Sequence, residues 1–385
     1  MTHFRLPLLL STVLCSLVLS AQDIAGLDAA TGKAIFEKLW VQAPASTGAS
    51  DGLGPFYNSR SCAACHPDGG RGLLPQGRVL QLDDPRYGKQ LQTSAVTGLK
   101  VEAQLQWITE SNAQGLDRPL PVLVDRDTGP LIIPSSVRMA PPLHGVGLLS
   151  TVPVSALEIL SDPDDSDADG ISGRIAWLES GTGQAVAGRY GWKASEPSLQ
   201  AQIARALSLD LGLGNPLYPD HWGDCTALQH DCLAAPAGLG PDEQFEAGHL
   251  VMDMLESYLQ SLLPPTPEAM QERGYGLFRQ SGCAACHIEE LASAMGQIKA
   301  WSDLLLHDMG PGLADSLPVP HALPAEWRTA PLWGLDSGPY LHDGRARTLD
   351  EAIRWHAGEA ASATEAYLGL NEAEREDLFA FLLGL

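Results

Sequence analysis

Basic residues are scarce in this chain of 385 residues. Lys and Arg together number 24, whereas Asp and Glu number 47, so the formal net charge is −23 at pH 7. A nucleic-acid partner would require a basic surface to meet its phosphates, and the composition therefore argues against one. The acidic surface keeps the protein soluble, and it could also attract a basic protein partner.

Long hydrophobic runs are absent after the first twenty or so residues. Leu6–Leu19 is apolar but too short to span a bilayer, and Arg5 precedes it. Ser20 and Ala21 are small residues that suit cleavage. Residues 1–21 are therefore predicted to be a signal peptide, and the mature protein is predicted to be soluble and periplasmic, with no membrane span.

Cysteine is also rare, with seven residues in the chain. Cys15 falls in the predicted signal peptide, and four others belong to two short motifs. Cys225 and Cys232 remain, and an oxidising compartment would join them as a local disulfide. Two free thiols or a redox-active pair are the alternatives, but no nearby residue suits the lowering of a thiol pKa.

Two Cys-x-x-Cys-His motifs occupy residues 62–66 and 283–287. Two thiols at this spacing can bond to the two vinyl groups of one haem, and the adjacent His then ligates the iron. A redox dithiol or half of a zinc site is the alternative for an isolated Cys-x-x-Cys. Two copies, each followed by His, predict two covalently bound haem c groups. The attachment residues and proximal ligands are Cys62, Cys65, His66, Cys283, Cys286 and His287.

A Gly-x-x-x-Phe pattern precedes each motif, at Gly32–Phe36 and at Gly274–Phe278. This pattern is typical of the first helix of a small cytochrome c domain. The repeat therefore predicts two haem domains, the first expanded by loops. The pair Pro264-Pro265 marks the boundary, so we predict an N-terminal domain at 22–265 and a C-terminal domain at 266–385.

A helical pattern closes each predicted domain. Apolar residues recur at helical spacing from Asp242 to Leu263, and Asn371 with Glu374 forms a capping-box pattern at the start of the last segment. The 39 Gly and 28 Pro residues indicate many turns. The predicted fold is mostly α, with two cytochrome c-type haem domains and long irregular loops.

Several longer motifs resemble one protein family. They are Asp164–Arg174, Asp303–Leu313, Glu326–Gly334, Tyr340–Arg345 and Thr348–Ala352. Together they resemble the bacterial dihaem cytochrome c peroxidase superfamily. The first two are similar to its branch of di-haem oxidoreductases, also called thiol oxidoreductases. The resemblance extends from about residue 30 to the end of the chain.

The resemblance implies a distal ligand for the C-terminal haem. In the superfamily this ligand lies fourteen positions after the His of a His-Asp-Gly motif, which here begins at His342, so the position is His356. The implied pair, His287 and His356, should have a lower reduction potential than a His/Met pair. Met309 is the rival ligand, and a surface His on a helix is the plain alternative for His356.

The N-terminal haem departs from the family pattern. Peroxidases of the superfamily place a displaceable His sixteen residues after the proximal His, where this chain has Leu82. His144 and Met139 are candidate substitutes, although both also suit packing. Otherwise the iron beside His66 is open to a small substrate. Glu110 is then the predicted catalytic acid/base, with a solvated carboxylate as the alternative.

Three alternating acidic residues, Asp165, Asp167 and Asp169, stand before Gly170 like the opening of a calcium loop. Relatives hold calcium between their haem domains, so calcium is a predicted second cofactor here. A solvated acidic turn is the alternative.

Trp192 is either a bridge between the haems or a plain core residue. Arginine pairs well with carboxylates, so three arginines are candidate partners of the haem propionates. They are Arg328, Arg345 and Arg347.

Three functions are compatible with these motifs. The first is an enzyme that takes electrons from a small cytochrome or cupredoxin at a bis-His C-terminal haem. It would pass them to the N-terminal haem, which reduces peroxide or oxidises a small substrate such as a thiol. The second is a non-catalytic electron-transfer cytochrome. The third is support of assembly or metal uptake.

Overall fold

The computed structural model describes residues 21–47, 50–240, 243–267 and 270–385. Residues 1–20, nearly all of the predicted signal peptide, lie outside the described residues. The chain is 29% helical and 19% strand. The prediction of a mostly α fold is therefore wrong, because many short strands occupy segments that were expected to be irregular. In the described part, no helix is long and apolar enough to cross a membrane.

The helices of the described residues are short, and the longest has 17 residues. They are α1 (Ala21–Glu37), α2 (Cys62–Cys65), α3 (Val154–Leu160), α4 (Leu199–Leu211), α5 (His230–Leu233), α6 (His249–Ser261), α7 (Glu272–Gln280), α8 (Leu349–Arg354), α9 (Ala361–Leu368) and α10 (Glu372–Leu383).

The strands form small sheets. They are β1 (Val41–Gln42), β2 (Asp51–Leu53), β3 (Phe56–Tyr57), β4 (Arg78–Asp84), β5 (Gly88–Gln90), β6 (Ser94–Ala95), β7 (Gln104–Ser111), β8 (Asp117–Asp125), β9 (Gly129–Leu131), β10 (Ser135–Met139), β11 (Trp177–Glu179), β12 (Ala185–Ala187), β13 (Leu291–Ser293), β14 (Gly296–Ile298), β15 (Leu306–Asp308) and β16 (Glu326–Arg328). Two described sheets have three strands, in the orders β10-β4-β5 and β7-β8-β9, and the others have two.

The segment from β4 to β10 contains most of the strand structure. Leu80 lies opposite Val137 in the antiparallel β4–β10 pair, and Leu105 lies opposite Leu123 in the long β7–β8 hairpin. These side chains belong to one small hydrophobic cluster. Alternation of apolar and polar residues in β4 is the sequence signal of a half-buried strand.

The first and last helices of each predicted domain cross at a glycine. A Cβ atom on Gly32 of α1 would collide with the backbone carbonyl of Met254 in α6. A Cβ atom on Gly274 of α7 would collide with the carbonyl of Asp377 in α10. The repeated glycine is therefore required for the same close helix–helix contact in both halves.

The predicted capping box of α10 is confirmed. The Asn371 side chain accepts a hydrogen bond from the backbone N–H of Glu374, whose carboxylate accepts one from the N–H of Asn371. The predicted helix from Asp242 to Leu263 is shorter in the structure, which has α6 from His249 to Ser261. Gly248 has an extended backbone, so the helix begins only after it.

Two large hydrophobic clusters hold the motifs in place. The first contains Phe36 and Leu255 and packs against Cys62, and the second contains Phe278 and packs against Cys283. Trp333, from the C-terminal half, packs in the first cluster. The domain boundary at 264–268 stays a prediction.

The predicted disulfide between Cys225 and Cys232 is confirmed. It closes a short surface loop that follows Asp224. One carboxylate oxygen of Asp224 accepts the backbone N–H groups of Lys89 and Gln90, at 2.6 and 2.9 Å. The loop is thereby fastened to the end of β5.

Replacing both Cys225 and Cys232 by serine should lower the free energy of unfolding by about 2 to 3 kcal/mol, because a cross-link closing so short a loop restricts the unfolded chain by that amount. Urea unfolding of the variant and the wild type would measure the difference. Adding a thiol reductant should destabilise the wild type by a similar amount and leave the variant unchanged. Equal midpoints for all samples would contradict the prediction.

Candidate functional site

The first motif forms α2, whose single turn presents both thiols before His66. The Ser61 hydroxyl caps this turn by accepting the backbone N–H of Ala64, at 3.3 Å. Cys62 and Cys65 are free thiols. Both cysteines and His66 line one cavity of about 260 Å³.

The ring of His66 is oriented by a backbone carbonyl. Its Nδ1 lies 3.0 Å from the carbonyl oxygen of Pro141, which can only accept, so Nδ1 carries the hydrogen. Burial lowers the His66 pKa to about 4, which leaves the ring neutral at pH 7. The Nε2 lone pair is then available to a metal, an arrangement typical of a histidine iron ligand.

The thiols of this motif are not prepared for thiolate chemistry. Burial, followed by the negative charge of Asp210, raises the pKa of Cys62 to about 12 and of Cys65 to about 11. A redox dithiol reacts through a thiolate at neutral pH, which these raised pKa values disfavour. Two protonated thiols beside a neutral histidine, at the wall of a cavity, fit attachment of a haem better.

The cavity has an apolar wall and a polar wall. The apolar side chains are Phe36, Leu143, Val146, Leu149, Leu255 and Leu259. The polar side chains include Gln81, Gln90, Glu196, Gln202, Arg205 and Asp210. The chain thus provides a hydrophobic surface for a large planar group, together with polar groups that could contact a small ligand.

Asp210, near the end of α4, is one of two carboxylates that line the cavity, the other being Glu196. Gln90 donates from Nε2 to its Oδ1 at 2.7 Å, and burial raises the pKa of Asp210. Its charge also acts on Cys62 and Cys65, so it lies near the attachment residues. A buried carboxylate with a raised pKa is suited to proton transfer. Sequence reasoning did not find this residue.

Glu110, the predicted acid/base, is elsewhere. It lies exposed on β7, opposite Arg118 in the hairpin, and is not among the residues that line the cavity. The structure does not bring it to His66. Glu110 is therefore a solvent-exposed carboxylate, which is the alternative that the sequence left open.

Arg71 lines the cavity, and its buried Nε has no hydrogen-bond partner among the described residues. An arginine Nε without a partner there suits a haem propionate. Arg328 also lines the cavity and donates from Nε to the carbonyl of Gly191 at 3.0 Å. Arg345 is not among the residues that line the cavity. Its guanidinium is instead paired with Asp343 at 2.8 Å.

The candidate substitutes for the missing distal ligand, His144 and Met139, both line the cavity. The backbone of Met139 accepts from Trp192 Nε1 at 2.7 Å and donates to the carbonyl of His342 at 2.6 Å. Leu82, at the position of the peroxidases' displaceable His, is buried in the β4 cluster and away from the cavity.

The second motif repeats the arrangement of the first. Cys283 and Cys286 are free thiols with pKa values raised by burial, that of Cys283 to about 11. His287 Nδ1 lies 2.9 Å from the carbonyl of Trp301, so its Nε2 is available. Burial and, to a smaller extent, the nearby His356 lower the His287 pKa to about 4.

His356 follows α8, and its Nδ1 lies 2.7 Å from the carbonyl of Ala352. Both imidazoles therefore have Nδ1 bound to a carbonyl, and they lie close enough to interact. The Nε2 atoms of both rings are therefore available to an iron. Met309 follows β15 and packs at the edge of the second cluster.

Trp192 lines the first cavity and packs against the second hydrophobic cluster. It is therefore the aromatic residue that contacts the surroundings of both motifs. The side-chain oxygens of Asp165, Asp167 and Asp169 lie within 4.8 Å of one another on the surface. Calcium at that loop stays a prediction.

Comparisons with known proteins agree with this arrangement. A family model described as "Di-haem oxidoreductase, putative peroxidase" matches residues 14–122 and 133–385. No curated protein matches the chain.

Two solved structures are similar to the chain. Kuenenia stuttgartiensis hydrazine synthase has 15% identity and a TM-score of 0.40, covering 99% of this chain and 100% of that one. A MauG-like protein associated with microbial copper homeostasis has 15% identity and a TM-score of 0.40, covering 97% of this chain and 91% of that one. Because the family model matches nearly the whole sequence, the chain belongs to the di-haem oxidoreductase family.

Proposed function

We propose that this protein is an exported dihaem c-type oxidoreductase that reduces peroxide. The proposal rests on a difference between the surroundings of the two motif histidines. His287 has a second imidazole, His356, close enough to interact with it electrostatically. His66 instead opens on a cavity with a polar wall that includes Asp210.

When bound, the haem at the second motif would accept electrons from a small cytochrome or cupredoxin, and the haem at the first would deliver them to peroxide. Cys62, Cys65, Cys283 and Cys286 would attach the two groups. His66, His287 and His356 would be iron ligands, and Arg71 and Arg328 would pair with propionates.

Asp210 would handle the protons that peroxide reduction consumes. Its carboxyl group is held by Gln90 at the cavity wall, and burial raises its pKa. Gln202 and Arg205 lie on the same wall and could donate hydrogen bonds to a bound peroxide. The Cys225–Cys232 disulfide supports export to an oxidising compartment such as the periplasm.

Haem staining after denaturing electrophoresis tests the attachment. The wild type should carry two covalently bound haems, and a variant with Cys62→Ser and Cys65→Ser should carry one, because its first motif lacks both thiols. The variant with Cys225→Ser and Cys232→Ser is the matched control and should keep two. Full haem content in all three proteins would contradict attachment at the first motif.

Electron paramagnetic resonance of the oxidised wild type, with a peroxide-consumption assay after reduction, tests the reaction. We expect one low-spin and one high-spin signal and rapid loss of peroxide. Two low-spin signals and no reaction with peroxide or cyanide would favour the non-catalytic electron-transfer cytochrome instead.

A further inference from the structure

One buried group of charged side chains has no part in the proposed peroxide reaction. His307, which is 3% exposed, lies between Asp303 and Glu359. Its Nε2 is 2.9 Å from Asp303 Oδ2, and its Nδ1 is 2.7 Å from Glu359 Oε2. We call these three residues the charge triad.

The charge triad contains a cation. Both ring nitrogens of His307 face carboxylate oxygens, and a neutral imidazole could donate from only one of them. Burial opposes the charge, but the hydrogen bonds with Asp303 and Glu359 raise the pKa of His307. Two carboxylates and one imidazolium give the charge triad a net charge of minus one.

Neighbouring groups fix the charge triad in place. The second oxygen of Asp303 accepts the backbone N–H of Leu305 at 3.0 Å. The Glu359 carboxylate accepts two hydrogen bonds from Ser172, one from the hydroxyl at 2.9 Å and one from the backbone N–H at 3.1 Å. These bonds hold the charges at constant positions beside the second motif.

The charge triad touches a haem-attachment residue. His307 Nδ1 lies 3.6 Å from the sulfur of Cys286, and the backbone N–H of Asp303 donates to the carbonyl of Cys286 at 3.0 Å. Cys286 directly precedes His287. Cys286, Asp303 and His307 also lie within 4.8 Å of one another, as metal ligands would. Both nitrogens of His307 are already engaged by carboxylates, so a tuning role fits the geometry better than a metal site.

We propose that the charge triad lowers the reduction potential of the haem attached at Cys283 and Cys286. This rests on the haem attachment given under Proposed function. A fixed net negative charge in a poorly solvated site disfavours the gain of an electron by a neighbouring iron. The residues act through the haem's surroundings and are positioning residues, because His307 contacts the attachment sulfur and Asp303 bonds to the backbone of the same cysteine.

A redox titration of the loaded protein, followed by the absorbance of its low-spin haem, tests this role. Glu359→Gln removes one negative charge and should shift the midpoint of that haem upward, while the spectrum stays low-spin and the other midpoint stays in place. Glu365→Gln makes the same change of charge at an exposed position of α9, outside the charge triad. It should leave both midpoints unchanged.

Asp303→Asn is a second variant. It tests the effect on the reduction potential if the Glu359→Gln protein does not bind haem. It too should shift the midpoint upward. A midpoint in either loaded variant that equals the Glu365→Gln value, or that lies below it, overturns the proposal. The titration needs no turnover, so its outcome is separate from the question of whether peroxide is the substrate.

Discussion

The Asp210→Asn variant should reduce peroxide about 100- to 10,000-fold more slowly than the wild type, the usual range for loss of a general acid/base. The amide keeps the shape of the side chain and can still accept a bond from Gln90. It cannot give or take a proton at neutral pH. Stopped-flow mixing of the reduced protein with peroxide measures the rate.

Glu110→Gln is the matched control for this experiment. It makes the same carboxylate-to-amide change on the exposed face of β7, outside the cavity. Its rate should equal that of the wild type. If Glu110→Gln lost activity and Asp210→Asn did not, the assignment of proton transfer to Asp210 would be wrong.

The His356→Ala variant should convert the C-terminal haem from a low-spin to a high-spin iron, because the second imidazole would be lost from its coordination. Electron paramagnetic resonance of the oxidised protein detects the change as the disappearance of the low-spin signal. Haem content should be unaffected, since His356 contributes nothing to the thioether bonds.

Met309→Ala separates the two candidate ligands. Met309 follows the second motif along the chain, but it packs at the edge of the second cluster. We expect the low-spin signal to survive this substitution. A spectrum that changes with Met309→Ala and not with His356→Ala would reverse the assignment.

Local sequence patterns predicted the features that depend on nearby residues. The Cys225–Cys232 disulfide and the capping box of Asn371 and Glu374 each join residues a few positions apart. The Gly-x-x-x-Phe repeat was also found in the sequence. Gly32 and Gly274 each allow a close contact between two helices. Such signals do not depend on how distant segments meet.

The features that were missed depend on tertiary contacts. Asp210 faces the cavity only because α4 packs beside the first motif, and its partner Gln90 comes from β5. Arg71 was overlooked because nothing in the sequence marks an arginine Nε as lacking a partner. Glu110 was chosen by analogy with relatives, although its strand is exposed. The short strands were not predicted, because the many Gly and Pro residues between them are also typical of irregular loops.

The loop closed by Cys225 and Cys232 has a consequence for how the protein must be produced. Asp224, directly before the loop, holds the backbone of Gln90, whose side chain holds Asp210. Protein made in a reducing cytosol would lack the Cys225–Cys232 disulfide that fixes this loop. We therefore expect it to have a full complement of folded helices but a loosely oriented cavity carboxylate, so preparations from the two compartments should differ in peroxide rate more than in circular dichroism.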